Sequence, residues 1–110
     1  MTAIKQPASR PHDATVVELL KADSEFANEY LAAALEEADQ PGGQAALLAA
    51  LRHVAEAQGM AAVAERAGIP RESLYRALSP KGNPTIKTLL AVLGAAGLHL
   101  AVTRQDSAHA

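Results

Sequence analysis

The chain has 110 residues, enough for one modest core and too few for a second domain of ordinary size. Its composition is 49% hydrophobic with only Phe26, Tyr30 and Tyr75 as aromatics, so the core must be built from Ala, Leu, Val and Ile, side chains that suit closely packed helices. The absence of cysteine excludes disulfides and thiolate metal sites, and a formal charge of −2 excludes a uniformly basic nucleic-acid binder.

That charge is unevenly spread. Residues 1–58 carry four Lys/Arg against nine Asp/Glu, a net of −5, whereas residues 59–110 carry six against three, a net of +3. Such asymmetry points to an anionic partner on one side of the molecule. The N-terminal stretch lacks the apolar run of a signal peptide, and no segment approaches the roughly 20 apolar residues of a membrane span. The expectation is a soluble protein of a reducing cytoplasm, with no membrane partner.

Residues 1–12, with Pro7, Ser9 and Pro11, read as a flexible N-terminal arm, and order is expected from Asp13. Thr15 followed by Glu18 matches a capping box ahead of Val16, Val17, Leu19 and Leu20, which predicts a short first helix. From Asp23, apolar positions at Ala27, Tyr30, Leu31, Ala34 and Leu35 predict an amphipathic helix, stopped by Gln40, Pro41, Gly42 and Gly43. The next helix carries Leu47, Leu48, Leu51 and Val54, with Gly59 as its stop. His53 on that helix reads as a surface or boundary residue.

Three shorter helices follow, marked by Met60, Val63, Ala64 and Ala67, by Leu74, Ala77 and Leu78, and by Ile86, Leu89, Leu90 and Leu93. The segment 98–104 then alternates Leu98, Leu100 and Val102 with His99, Ala101 and Thr103, the period of a half-buried strand. A lone strand needs a partner: another chain, a short extension of its own chain, or none if it is the tail of a helix. Residues 105–110 read as a loose C-terminus, leaving 13–104 as the single folded domain.

Residues 60–78 have the layout of a helix-turn-helix. Small Ala64 faces the second helix, Gly68 supplies the turn, and Ile69 and Leu74 plug the pair into the core. The second helix then presents Arg71, Glu72, Ser73, Tyr75 and Arg76, where such a motif meets base edges in the major groove. Arginine bonds bidentately to guanine and glutamate accepts from cytosine. Ser73, Ser79, Lys81 and Asn83, with the amides from Thr85 onward, suit phosphate contacts. Other readings stand beside these. Glu72 and Arg76 have the spacing of a surface ion pair, Tyr75 could serve the core or an interface, and Arg66 and Lys87 could be solvated helix faces. His12, His53, His99 and His109 are scattered, and no metal-ligand spacing, phosphate loop or nucleophile motif is present, so no enzyme and no cofactor is expected.

The stretches "YLAAALEEAD" (30–39), "ALRHVAEAQGM" (50–60), "RESLYRAL" (71–78) and "GNPTIKTLLAVLGAAGLHLAV" (82–102) resemble the addiction module antidote proteins, HigA-like antitoxins within the Xre or lambda-repressor-like helix-turn-helix family. The resemblance covers about nine-tenths of the chain. It implies an all-α, five-helix lambda-repressor-like helix-turn-helix domain with a short N-terminal helix and a possible C-terminal strand. It also implies a bacterial antitoxin that binds a RelE/ParE-superfamily (HigB-like) toxin and represses its own operon by binding operator DNA, without catalysis. The recognition-helix role falls on Arg71, Glu72, Ser73 and Arg76, with Tyr75 beside them. Two positions depart from the wider pattern: Gly59 and Met60 replace a polar Thr-Gln pair, and Pro70 replaces the Ser/Thr cap. A homodimer is expected because two half-sites call for two copies, with 98–104 as a candidate interface. The competing reading is a module that binds only the toxin, through its acidic first half, with the helix-turn-helix as scaffold.

Overall fold

The structure is a computed structural model that describes residues 9–104. It is all-helical: α1 (Ser9–Ala22), α2 (Ser24–Glu36), α3 (Gly43–Gln58), α4 (Met60–Ala67), α5 (Arg71–Ala77) and α6 (Ile86–Ala95). None of these helices is long and apolar enough to cross a membrane.

The first helix starts at Ser9, inside the segment expected to be an arm, and is 14 residues long rather than short. Thr15 therefore lies in its interior and not at its N-cap. Pro11 permits the early start because it falls in the first turn, where an N–H has no helical acceptor to lose. The second helix is capped as its sequence suggests: the Asp23 carboxylate accepts from the Glu25 N–H at 3.0 Å.

The third helix is the centre of the fold, packed by α1, α2, α4 and α6. Leu51, Val54 and Ala55 on it are buried and form one continuous core with Val16, Leu20, Ala27, Leu31, Val63, Leu74, Leu78 and Val92. Gly43 begins α3 without a side chain because a Cβ there would strike the Glu37 carbonyl at the end of α2.

His53 is buried, with 3% of its surface exposed, which corrects the reading of it as a surface or boundary residue. Both ring nitrogens are satisfied: Nε2 lies 2.9 Å from the Asp13 carboxylate of α1, and Nδ1 lies 2.6 Å from the Tyr30 hydroxyl of α2. A carboxylate can only accept, which assigns the ring hydrogen to Nε2; in the neutral ring Nδ1 then accepts from the Tyr30 O–H. The rings of Tyr30 and His53 also stack, with centroids 6.0 Å apart. One side chain thus ties three helices together, and without those partners its burial would cost several kcal/mol, on the order of 2–7.

Two further expectations are corrected. On α6, Ile86 is 69% exposed and Leu90 is exposed, while Thr88, Ala91, Val92 and Leu93 form the buried side. This helix is apolar nearly all round, so periodicity could not choose its face; small Ala91 and Thr88 let it pack closely. The alternating segment 98–104 forms no strand among the described residues, because a strand needs a ladder partner and none lies beside it.

Burial raises the pKa of the Tyr30 phenol, the nearby Asp13 charge adds to this, and Arg52 opposes it. A folded-state pKa above the unfolded one gives stability that is present below the ordinary tyrosine range, near pH 10, and lost as pH rises through the folded value. Tyr30→Phe should leave Nδ1 of His53 without its partner and cost about 1–3 kcal/mol in urea unfolding at neutral pH. The loss of stability at alkaline pH should be shallower in the variant; equal slopes would remove Tyr30 from this account.

Candidate nucleic-acid interface

The segment from α4 to α6 is built by closures at its turns. Helix α4 ends at Gly68, whose φ of 73° is left-handed; the Gly68 N–H donates to Glu65 O and the Ile69 N–H to Ala64 O, each at 3.1 Å. This closure folds Ile69 back onto the core and aims the chain into α5. Pro70 is the N-cap of α5, and its carbonyl accepts from the Ser73 and Leu74 N–H groups at 3.0 and 3.1 Å. Helix start needs only that carbonyl, so the missing Ser/Thr side chain does not prevent it.

Leu74 and Leu78 are fully buried, which fixes the rotation of the short helix. Arg71, Glu72, Tyr75 and Arg76 are consequently exposed, with Ser73 half-buried. Tyr75 is 41% exposed, so it is not a core residue. Glu72 and Arg76 make no ion pair: among the described residues, carboxylates lie within 4.0 Å of only Lys21 and His53. Arg71, Arg76 and Lys81 are therefore not neutralised by any described side chain.

The chain turns immediately after α5. Ser79 Oγ donates to Arg76 O at 2.8 Å, and the Gly82 N–H donates to Ser79 O at 2.8 Å. A Cβ on Gly82 would strike the Ala77 carbonyl, so only glycine lets the turn lie this close under the helix end. The result is an open depression walled by Ser73, Arg76, Ser79, Lys81 and Asn83, which gathers five of the nine residues expected from sequence. Arg71, Glu72 and Tyr75 are not part of its wall. Thr85 is at the N-cap of α6, where its hydroxyl accepts from the Thr88 N–H at 3.0 Å and bonds the Thr88 hydroxyl at 3.1 Å. It lines an adjoining cleft with Leu47, Leu51, Ile86 and Leu89, which shares Gly82 and Asn83 with the depression.

Arg52 was not among the expected site residues. From α3, its Nη1 donates to Leu78 O at 2.8 Å, holding the end of α5 from below with a cation placed at a helix C-terminus. A lone arginine between Leu51 and His53 was the only sequence signal, and a contact spanning 26 residues has no local signature. Lys87 is exposed but does not simply face water. Its Nζ lies 3.1 Å from where a Cβ on Gly68 would stand, so α6 adds a cation at the α4–α5 turn.

Residues 10–104 match a family model described as a probable addiction module antidote protein. The chain belongs to that family. The chain is also 46% identical over 56 residues to an uncharacterized protein of Haemophilus influenzae strain Rd, a match covering 51% of this chain and 58% of that relative. No solved structure matches the chain.

Arg52→Met keeps the apolar stem of the side chain but removes the donor, leaving Leu78 O unpaired in a partly buried position. The expected outcome is a loss of about 1–3 kcal/mol, with faster amide hydrogen exchange at Ser79 and Gly82 than in α1. Uniformly faster exchange across all helices would deny Arg52 a local positioning role.

Proposed function

We infer that the protein is the antitoxin of a type II toxin–antitoxin module, which neutralises a RelE/ParE-superfamily (HigB-like) toxin and represses its own operon by binding operator DNA. The observation that carries the DNA half of this reading is the group of cations on and after α5 that no described carboxylate neutralises. In this reading α4, the turn at 68–70 and α5 form a helix-turn-helix. Arg71, Glu72 and Arg76 meet base edges in the major groove, and Tyr75 adds contact area beside them. The depression with Ser73, Ser79, Lys81 and Asn83 receives backbone phosphate, and Thr85 contributes by capping α6 so that its first amides stay directed at the same strand.

The acidic half supports the toxin arm. Glu25, Glu29, Glu36, Glu37 and Asp39 lie on or just after α2 and are exposed, opposite in sign to the α4–α6 region. RelE-type toxins act on RNA and are commonly basic, so such a surface speeds their capture and orients them. This surface also favours the second reading, a module that binds the toxin with little sequence-specific DNA binding.

Titration of the protein's own upstream DNA in increasing salt separates the two readings. A DNA reader loses affinity steeply with salt, and Lys81→Ala should reduce the slope by about 1 while weakening all sequences alike. Arg76→Ala should cost about 1–3 kcal/mol of preference at one base position. Equally weak binding to native and scrambled duplexes would leave only the toxin-binding module.

A further inference from the structure

We propose that residues 99–103 form an antiparallel two-stranded ribbon with the same residues of a second copy, and that this ribbon is the homodimer interface. Helix α6 closes at Gly97 (φ 78°), where the Leu98 N–H donates to Leu93 O at 2.8 Å. From there the chain runs through Arg104 without a turn or bend, and residues 99–104 make no hydrogen bond with any described residue. It lies beside α2, where Leu98 and Leu100 share an apolar groove with Leu31, Leu35 and Leu93. Leu35 is 42% exposed, Leu100 44% and Val102 100%. Unpaired donors and acceptors thus run along an uncovered apolar strip, and both deficits are met by a strand.

The sequence selects a copy of itself as that strand. Directly opposed residues of an antiparallel pair face the same side, so pairings that keep the apolar positions together must oppose residues of the same parity. Centring the two-fold on Ala101 does this: Leu100 faces Val102 of the second copy, Val102 faces Leu100, and His99 faces Thr103. Leu98, already bonded to Leu93, stays outside the ladder. The two Arg104 residues fall at opposite ends of the ribbon, about 20 Å apart at roughly 3.3 Å per residue, beyond the Debye length of about 8 Å at physiological salt. No like charges therefore oppose the pairing. An isolated two-stranded ribbon is marginal in water, and the groove of α2 supplies the apolar support it needs. A basic partner drawn by charge has no reason to choose this strip, which carries no acidic residue between 98 and 104. The ribbon would supply the two copies of α5 that a two-half-site operator calls for, but its test uses no DNA and stands apart from that reading.

The chain has no cysteine, so a single introduced thiol is unambiguous. In the Ala101-centred register residue 101 meets its own copy at a Cα separation of about 4.5–5.5 Å, within disulfide reach. Ala101→Cys in the full chain should convert to a covalent dimer under mild oxidation, while Leu90→Cys, on the exposed side of α6, should not. Light scattering should give a dimer at micromolar concentration for the unaltered chain and a monomer for Val102→Asp, whose helical circular dichroism should be unchanged because Val102 is fully exposed among the described residues of one copy. The inference is overturned by a monomer throughout, by a dimer that cross-links through position 90 and not 101, by a Val102→Asp dimer, or by protection of the 99–103 amides only when a toxin is added.

Discussion

The fold depends on a buried imidazole. His53 can sit inside the protein only because Asp13 and Tyr30 meet its two nitrogens, and those partners come from the two helices that must lie on α3 for the core to close. Whole domains are stable by only about 5–15 kcal/mol, so a joint worth even a few kcal/mol is a large fraction of the total. The next residue along α3, Arg52, reaches the other way and holds Leu78 O. Adjacent side chains on one helix therefore fasten α1 and α2 on one side and the end of α5 on the other. The exposed cations of α5 are placed by that arrangement, with Leu74 and Leu78 fixing the rotation.

Much of this was legible in the sequence and some was not, for physical reasons. Helices α2 to α5 announce themselves by apolar stripes and glycine stops, because the same spacing that buries Leu31, Leu51, Val63 and Leu74 is visible in one dimension. The outward set Arg71, Glu72, Tyr75 and Arg76 follows from Leu74 facing in. The start of α1 lies ahead of the Thr15 capping box because such a box is only a local preference, and Pro11 in the first turn does not stop the helix. The buried side of α6 was unreadable because its apolar residues surround the helix. His53 and Arg52 are fastened to residues 23, 40 and 26 positions away, which no local pattern encodes. The depression beside α5 depends on Gly82 packing against a helix end, and a glycine between Lys81 and Asn83 looks in sequence like any loop glycine.

The strand expected at 98–104 teaches a related point. Alternation is a property of the chain, but a strand is a property of a pair, and within the described residues of one copy the pair is missing. The apolar period and the unpaired backbone are both present, which is what makes a second copy the natural complement. In the proposed function these surfaces serve different partners: the acidic half a basic toxin, the cationic half phosphate, and, in the proposed ribbon, the apolar strip a second copy of the chain.

In the proposed function, nucleic acid is gripped by α5 and the turn that follows it. Titrating an isotope-labelled full-length chain with duplex DNA from its own upstream region, and following the backbone amides by NMR, tests it most directly. Shifts should be concentrated at residues 68–87, with α1 and α2 unmoved at equal concentration of a scrambled duplex or of the native one. Shifts centred on the acidic α2 surface, or none at any salt concentration, would contradict it.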